Sequence, residues 1–549
     1  MSSESRMTAL LLVVVLALAG CVGIPTGGAV DSGTVVQGSA DSRYETQVAG
    51  PRAGDSKENL LSAFLLAMRD PQNSYAVARQ FLVPGFAETW RPSSGLTVRS
   101  GPPTMLTADD GSLVYRFASN AFIDADGRYS EETSNQELRF VFTKVDGEWR
   151  IADAPDGTVL SRDILENVFV EYPIYFFSPD YAYLVPEARW FPNRTSTPQR
   201  AVDALLEGPS PWLQQAVVSA FPTATVLGDG GVRIAAGETS VDLGSESGIA
   251  DAETRERMRQ QLNATLSVAD VRLTVGGQQL PDDDEVPSVV VDPPVNASPL
   301  VGAEGAFGFA SAAEVATLPG LGETVVAAEP RAATLSQQGD AVALLTGYGT
   351  VAVVREDAGL AVLDSRPGLV APTIDGQGSV WSVPASSPEG LTVFAADGSS
   401  TGVAAPVPAD SRIVAMKVSR DSTRMALLLQ GPLGYSVGVA GIVRSAGTPD
   451  RLGDLVGIGT PSGEIIDIAW EDDRSLALLI GGESGTRVVS AGIGGPSVAR
   501  GAAEGAVSIA GVGSSGLRVL TGDGDVLRLQ GSDRWVDTGI DASFLGIHQ

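Results

Sequence analysis

At 549 residues the chain is too long for a single hydrophobic core, and its length predicts about three or four domains. Acidic residues outnumber basic residues by 66 to 37, and the formal net charge of -29 disfavours binding to the phosphate backbones of nucleic acids. Because none of Lys57, Lys144 and Lys417 follows a glycine-rich phosphate loop, the sequence also excludes a Walker-type nucleotide site.

The N-terminus has the pattern of an export signal. Residues 9–19 form an apolar stretch that matches a secretory signal core and is too short to span a bilayer comfortably. The stretch ends in Leu18-Ala19-Gly20-Cys21, and Cys21 is the only cysteine of the chain. Because small residues directly precede this cysteine, the segment resembles a bacterial lipobox.

The lipobox resemblance implies that Cys21 is the site of lipid attachment. In such signals the thiol receives a diacylglycerol, the peptide is cleaved between Gly20 and Cys21, and the new N-terminal cysteine is acylated. Residues 1–20 are then a signal peptide, and residues 21–45, rich in Gly, Ser and Thr, form a flexible tether. A two-chain lipid anchors a protein stably in a membrane. The alternative is an ordinary secretory signal that ends beside a chance cysteine.

Residues 46–160 predict an α+β domain. Leu60 and Phe64 fall on one helical face, with Ser56 as the N-cap, and a second helix is expected over 73–82. The segments SLVYRFASNAFID and QELRFVFTKVDGEWRIAD then alternate in the way typical of antiparallel strands. This order of elements resembles the cone-shaped nuclear-transport-factor-2-like (NTF2-like) fold.

Acidic residues of this domain are candidates for an acid–base pair in such a cone, by residue type alone: Asp109, Asp110, Glu131 and Glu132. All of them fall in predicted turns or at exposed edges. A solvated surface position is therefore the favoured interpretation, and a structural or binding role is expected for the domain.

Residues 161–290 predict a compact unit in which strands and helices alternate. YPIYFFSPDYAYLVPEARWF is a hairpin candidate that turns at residues 178–180. A helix is expected to begin near Pro198 and end at Gly208, and a second one to begin at Asp251 as its N-cap.

The segments ALLEGPS, SAFPTAT, SVDLG and RMRQQLNATL, in this order, resemble the GerMN domain. The resemblance implies an α/β fold and carries no catalytic motif, since the family is not established as catalytic. The carboxylate of Asp242 in SVDLG is expected to accept hydrogen bonds from neighbouring backbone, with contact to a ligand as the alternative.

Residues 295–549 predict an all-β propeller. A motif of two apolar strands around a polar turn recurs about every 40 to 50 residues, a period typical of four-stranded propeller blades. The equivalent apolar positions are Val342, Val380, Met425, Leu476 and Leu517. Five blades are visible in the sequence, and the segments 305–318 and 542–549 are expected to form a sixth by joining both ends. A pair of β-sandwiches is the alternative.

Several acidic residues of the propeller lie in its predicted turns. Asp421, Asp472 and Asp473 are interpreted as turn-forming residues. The segment TGDGDVL at residues 521–527 is interpreted as a hairpin turn. A calcium loop is less favoured there, because it needs several oxygen ligands at fixed spacing.

The sequence argues against an enzyme. His548 is the only histidine, and a frayed chain end is expected at its penultimate position. Triads of the Ser-His-Asp or Cys-His type and His/Cys zinc sites are therefore excluded, and no catalytic residue, metal or cofactor is predicted. Carboxylate chemistry remains, but the acidic run Asp282-Asp283-Asp284-Glu285 lies in a polar linker and is expected to be solvated.

The order of lipobox, α+β domain, GerMN-like domain and propeller resembles the actinobacterial LpqB lipoprotein family. This resemblance implies a partner, the extracytoplasmic domain of a sensor histidine kinase of the MtrB type that acts with the response regulator MtrA. It implies a lipid-anchored accessory protein on the outer face of the cytoplasmic membrane, which modulates envelope and cell-division control. Only Cys21 matches a functional residue of the family. The alternatives are an envelope scaffold or solute-binding lipoprotein that binds cell-wall glycan, and a carboxylate hydrolase.

Overall fold

The computed structural model describes residues 48–235, 237–281, 287–303, 305–311, 314–459, 462–483, 485–513 and 516–549. Contacts group Ala49–Gln549 into one unit; the other unit is Met1–Val48, of which only Val48 is described. The predicted signal peptide, Cys21 and the predicted tether up to residue 45 therefore lie outside the described residues, as does the acidic run 282–285.

Helices precede the strands in the N-terminal region (residues 49–161), namely α1 (Lys57–Ala67), α2 (Ala76–Arg79) and α3 (Pro84–Thr89). Ser56 caps α1 as predicted, since its Oγ accepts a hydrogen bond from the Asn59 N–H at 3.2 Å. The second helix is shorter than the predicted 73–82, because the residues before Ala76 adopt left-handed backbone angles that a helix cannot contain.

The sheet of this region has the order β5-β4-β2-β1-β6, with β3 beside β2. Its strands are β1 (Gly95–Thr107), β2 (Leu113–Asp124), β3 (Tyr129–Ser130), β4 (Ser134–Val145), β5 (Glu148–Asp153) and β6 (Thr158–Ser161). Burial alternates along β2 with the predicted period of two, because one of its faces is buried and the other is partly or fully exposed. The predicted α+β layout of helices followed by a sheet is confirmed.

The middle region (residues 162–291) begins with α4 (Arg162–Val168) and the predicted hairpin of β7 (Phe169–Phe177) and β8 (Tyr183–Pro192). It continues with α5 (Thr197–Glu207), β9 (Leu227–Ala235), β10 (Glu238–Leu243), α6 (Ala252–Leu266), β11 (Val271–Val275), β12 (Gln278–Gln279) and β13 (Val290–Val291). Helix α6 connects the parallel strands β10 and β11 in a sheet of order β12-β11-β10-β9.

The helix boundaries of the middle region follow the predicted signals. A proline occupies the first turn of α5, and Gly208 ends it with a φ of 98°, which favours glycine. Asp251 caps α6, because its Oδ1 accepts a hydrogen bond from the Thr254 N–H at 2.8 Å. Both helices bury their apolar stripes against the hairpin, which gives this region its own hydrophobic core.

The described residues of the propeller (residues 300–548) form six sheets, which are taken in chain order. The first sheet contains β14 (Leu300–Ala303), β15 (Ala306–Ser311) and β16 (Glu314–Thr317), and the helix α7 (Gly322–Ala327) follows it. The second sheet contains β17 (Ala332–Leu335), β18 (Ala341–Leu345), β19 (Val351–Arg355) and β20 (Gly359–Asp364). The third sheet contains β21 (Thr373–Ile374), β22 (Val380–Ser382), β23 (Thr392–Phe394) and β24 (Ser400–Gly402).

The later sheets complete the propeller. The fourth sheet contains β25 (Arg412–Val418), β26 (Arg424–Gly431), β27 (Gly434–Ser445), β28 (Thr448–Leu452) and β29 (Val456–Gly457). The fifth contains β30 (Glu464–Trp470), β31 (Ser475–Gly482), β32 (Gly485–Gly492) and β33 (Ser497–Ala502), and the sixth contains β34 (Ala506–Gly511), β35 (Leu517–Thr521), β36 (Asp525–Gln530) and β37 (Arg534–Asp541). The C-terminal strands β38 (Phe544–Leu545) and β39 (Ile547–His548) belong to the first and second sheets.

The recurring apolar positions of the sequence occupy equivalent places in this array. Each lies in the second strand of its sheet and is fully buried: Val342, Val380, Met425, Leu476 and Leu517. A second strand has a neighbouring strand on both sides and a neighbouring sheet on both faces, so its residues read as a continuous apolar run.

Both ends of the propeller meet in one sheet. Strand β38 pairs with β14, so that Val301 lies opposite Leu545 and Gly302 opposite Phe544. Strand β39 pairs in parallel with β17 of the next sheet. The C-terminal strands thus close the ring of sheets that begins near residue 300, as the sequence predicts.

Candidate functional site

The acidic candidates of the N-terminal region separate into two groups. Asp109, Asp110 and Glu132 are exposed, as predicted, and Asp110 Oδ1 accepts a hydrogen bond from the Ser112 N–H at 3.1 Å within its turn. Glu131 is different, because its side chain is largely buried against the propeller. The expectation of a solvated position for Glu131 is therefore wrong.

Glu131 connects the N-terminal region to the propeller. Its Oε1 accepts a hydrogen bond from the Ser497 N–H at 2.9 Å, and its Oε2 accepts one from the Ser497 hydroxyl at 2.8 Å. The Tyr129 hydroxyl lies 3.3 Å from Oε1, and Arg162 Nη2 lies 3.8 Å from the same oxygen. A carboxylate with donors on both oxygens is suited to fixing two domains in one orientation.

Asp242 also uses both of its carboxylate oxygens within the protein. Its Oδ2 accepts a hydrogen bond from the Gly230 N–H at 3.0 Å. Its Oδ1 accepts hydrogen bonds from the Thr274 hydroxyl at 2.6 Å and the Gly277 N–H at 2.9 Å. These donors, led by Thr274, lower the pKa of Asp242. The predicted role in capping neighbouring backbone is confirmed.

The middle region lies against one face of the propeller. This face, called the junction face here, carries the turns between first and second strands at residues 336–340, 375–379, 419–423 and 471–474. Hydrogen bonds join these turns, for example from the Gly376 N–H to the Ser422 hydroxyl at 2.7 Å. The turns therefore lie side by side around the propeller.

The hairpin of β7 and β8 contacts the junction face through polar groups that are mostly partly buried. The Tyr183 hydroxyl donates to Gln337 Oε1 at 2.8 Å, and the Trp190 indole N–H donates to the Gly494 carbonyl at 2.9 Å. Glu171 lies 3.7 Å from Arg474, and burial raises the pKa of this glutamate. The hairpin thus covers the part of the junction face that carries Gln337, Arg474 and Gly494.

Buried charges concentrate at the centre of this contact. The group called the junction cluster here comprises the buried side chains of Arg420, Asp421, Arg424 and Asp473 together with Asp292, whose side chain is 36% exposed. Arg424 donates to the Asp421 carboxylate and, at 2.7 Å, to the Asp473 carbonyl. Burial alone would raise the pKa of Asp421, but Arg424 and further donors in the turn hold it below its usual value. Asp421 is a turn residue as predicted and, in addition, half of a buried ion pair.

Asp473 is the most perturbed carboxyl group of the junction cluster. Burial raises its pKa to about 7, the Asp292 and Asp472 carboxylates act in the same direction, and Arg424 and Arg474 oppose them. Its Oδ2 is buried and, among the described residues, accepts no hydrogen bond. Asp473 lies in its turn, as predicted, but its side chain is only 9% exposed. Asp472 is also a turn residue as predicted, since its Oδ1 accepts a hydrogen bond from the Arg474 N–H at 2.8 Å.

His548 is a structured residue near the axis of the propeller. It belongs to β39, its Nδ1 accepts a hydrogen bond from the Asn296 N–H at 3.2 Å, and its ring contacts Phe309 edge-on at 5.4 Å. Burial lowers its pKa. The expectation of a frayed end is wrong, because pairing with β17 holds this strand in place.

The segment at residues 521–527 is the predicted hairpin turn between β35 and β36. The Asp525 N–H donates to the Thr521 hydroxyl at 3.0 Å. Within the described residues, no group of three or more His, Cys, Asp or Glu side chains is arranged to hold a metal ion. The same part of the chain has no helix with the length and apolarity needed to cross a membrane.

Comparisons with known proteins match each folded region. Family models described as "Lipoprotein LpqB, N-terminal domain", "Sporulation and spore germination" and "Lipoprotein LpqB beta-propeller domain" match residues 50–166, 173–281 and 305–540. The two LpqB models together match more than half of the chain. They agree with the predicted combination of an N-terminal domain, a GerMN-like domain and a propeller.

Curated relatives share this organisation. Lipoprotein LpqB of Thermobifida fusca is 27% identical over 598 residues, which cover 94% of this chain and 94% of that protein. Lipoprotein LpqB of Nocardia farcinica is 35% identical over 217 residues, which cover 38% of this chain and 35% of that protein. Among solved structures, the first GerMN domain of the sporulation protein GerM from Bacillus subtilis is 22% identical and covers 22% of this chain and 93% of that chain, with a TM-score of 0.18.

Proposed function

Because the chain belongs to the actinobacterial LpqB lipoprotein family, we propose that it is a lipid-anchored accessory protein that binds a sensor histidine kinase of the MtrB type. The binding partner is the extracytoplasmic domain of the kinase. Binding modulates the kinase and, through it, the control of the envelope and of cell division.

One observation carries this proposal: polar contacts fix the other two folded regions to the propeller. Glu131 bonds to Ser497, Trp190 to the Gly494 carbonyl, and Tyr183 to Gln337. Such contacts hold the propeller in one orientation to the rest of the chain. A protein that presents a surface in a fixed orientation is suited to binding, because little conformational entropy is lost when the partner docks.

The acidic residues also support binding over hydrolysis. The carboxylates of Asp242 and Asp421 accept hydrogen bonds from neighbouring turns or strands, so they are engaged within the protein and not directed at a substrate. Glu131 is held by Ser497. Hydrolysis by two carboxyl groups would require a pair that faces a substrate cleft.

The anchor gives the proposed interaction a physical advantage. A lipid on Cys21 confines the protein to the membrane surface on the outer side of the cell, where the extracytoplasmic domain of the kinase also lies. Confinement raises the effective concentration of each partner for the other. The protein modulates the kinase if it binds one conformational state of it more tightly than the other.

A crosslinking pull-down from intact cells tests the proposal. The tagged, lipidated protein is the bait, and Cys21→Ala, which lacks the thiol for lipid attachment, is the control. We expect the lipidated protein to enrich the sensor kinase and the variant to enrich it less. Recovery of cell-wall glycan or wall-synthesis enzymes without a kinase would instead favour the glycan-binding scaffold.

A further inference from the structure

The two faces of the propeller differ in what covers them. The second and third strands of these sheets pair antiparallel, so the turns between them lie on the face opposite the junction face. This opposite face, called the open face here, carries the turns at residues 346–350, 383–391, 431–434 and 521–525. The contacts described above between the middle region and the turns of the propeller fall on the junction face.

Two turns of the open face expose large apolar side chains. Leu433 is fully exposed in the turn between β26 and β27, and Tyr348 is 88% exposed in the turn between β18 and β19. Their sheets are separated by one intervening sheet. Exposed apolar residues of this size on one face of a domain are typical of anchor residues at protein interfaces.

The backbone of both turns is fixed by local contacts. The Gly349 N–H donates to the Thr346 carbonyl at 2.9 Å, and the Thr346 and Thr350 hydroxyls are 2.8 Å apart. Gly434 has a φ of 115°, a backbone angle that favours glycine and that closes the turn after Leu433. The backbone positions from which the two side chains project are therefore defined, which reduces the backbone entropy lost on docking.

A groove of about 700 Å³ lies beside the Leu433 turn. It is bounded by Pro388 from one sheet, by Val407 from the following connection and by Pro432 from the next sheet. Arg412 at its edge donates to Gln430 Oε1 at 2.6 Å. Pro432, which borders the groove, directly precedes the exposed Leu433 in the chain.

The open face is acidic. Exposed carboxylates stand in its turns and connections: Glu389, Asp410, Glu464, Glu483, Glu504 and Asp523. The arginines on this face already donate to acceptors of the protein itself, as Arg412 does to Gln430, Arg331 to the Gly347 carbonyl and Arg366 to Asp364. A partner that docks here meets negative charge around apolar anchors.

We propose that the open face is the docking surface for a partner protein whose contact surface is basic and has an apolar pocket that receives Leu433, with Tyr348 as a second anchor. Opposite charge would draw the two surfaces together and suppress partners of the wrong sign. This proposal rests on the proposed function, because it assigns the surface that contacts the kinase.

Binding of the full-length lipoprotein in nanodiscs to the purified extracytoplasmic domain of the kinase from the same organism tests the proposal. We expect Leu433→Asp, and to a smaller extent Tyr348→Ser, to weaken binding by about tenfold or more. The matched control is Val362→Asp, which changes a residue that is 58% exposed in β20, outside these turns. The control is expected to change affinity by less than about twofold. Affinity of the wild type is also expected to fall as salt is added.

The outcomes separate the two proposals. If the wild type binds and Leu433→Asp binds equally well, the docking surface lies elsewhere and only this inference is overturned. Binding that does not weaken with salt would overturn the basic character of the partner surface. If the wild type does not bind the kinase domain, the proposed function fails and this inference fails with it. Because Leu433 is fully exposed, an unchanged melting temperature of the variant excludes misfolding as the cause of lost binding.

Discussion

The carboxylate of Glu131 accepts hydrogen bonds from both the backbone N–H and the hydroxyl of Ser497, a residue 366 positions away in the chain. The first lies in the N-terminal region and the second at the start of β33 in the propeller. The two regions are therefore joined by a charge-assisted contact that is mostly shielded from water.

Removal of this carboxylate is expected to destabilise the protein. Glu131→Ala leaves the Ser497 N–H and hydroxyl without their acceptor, and the loss of such a buried contact costs about 1–3 kcal/mol. Urea denaturation of the wild type and the variant measures the difference. The control is Glu132→Ala, which removes an exposed neighbour and should leave the free energy of unfolding almost unchanged. Equal stabilities for all three proteins would show that the contact does not join the regions in solution.

Much of the fold could be predicted because its signals are local. Ser56, Gly208 and Asp251 mark helix ends through contacts within a few residues of themselves, which the sequence displays directly. The propeller could be predicted because Met425 and its equivalents repeat one environment at a regular spacing. The resemblance of the middle region to the GerMN domain depends on short sequence segments that occur in a fixed order.

The features that sequence patterns did not predict depend on distant or unusual contacts. Glu131 falls in an ordinary surface pattern, and only the folded chain brings Ser497 to it. Asp473 occupies a turn, where acids are normally solvated, but the middle region covers this turn. Tyr75 appears in a helical pattern, yet its left-handed backbone with a φ of 61° prevents the helix from beginning earlier. The docking surface around Leu433 had no sequence signal, since a lone leucine in a turn is unremarkable until its exposure is known.

The closure of the propeller by β38 makes a prediction about stability. The Phe544 ring stacks on that of Phe307 with centroids 5.7 Å apart, and both side chains are buried. Phe544→Ala leaves a cavity where the two ends of the propeller meet and should destabilise the protein by about 3–5 kcal/mol. Urea denaturation measures this loss. Phe122→Ala, at a ring that is 41% exposed, is the control and should cost clearly less. A loss for Phe544→Ala no larger than that of the control would mean that closure contributes little.

The resemblance to a lipobox makes a prediction about location. Cys21→Ala removes the thiol that would carry the lipid, so we expect the protein to move from the membrane fraction to the soluble exported fraction. Cell fractionation followed by immunoblotting measures the distribution. Conversion of a serine in the predicted tether, Ser32→Ala, is the control and should leave the protein in the membrane fraction. Retention of Cys21→Ala in the membranes would contradict lipid attachment at this residue.

The buried carboxyl group of Asp473 makes a prediction about pH. Its pKa is raised to about 7 in the folded protein, against an ordinary value near 3.8, so the folded state binds a proton more tightly than the unfolded state does. The contribution of Asp473 to the free energy of unfolding should therefore be fully present below about pH 4 and be lost as pH rises through about 7. The groups that face Asp473 are Asp292, Asp472, Arg424, Arg474 and Tyr175. Urea denaturation at several pH values across this window measures the profile.

Asp473→Asn isolates this contribution. The amide keeps the size of the side chain but does not titrate, so the variant should lose the part of the pH profile that Asp473 supplies and should gain relative stability at neutral pH. His548 acts in the opposite direction, because burial lowers its pKa and stability is lost as pH falls below 6.5, but it is present in both proteins and cancels in the difference. The control is Asp397→Asn, an exposed turn residue whose pKa is lowered, so its effect falls below the window. Parallel profiles for the wild type and Asp473→Asn would show that Asp473 stays ionised at the junction.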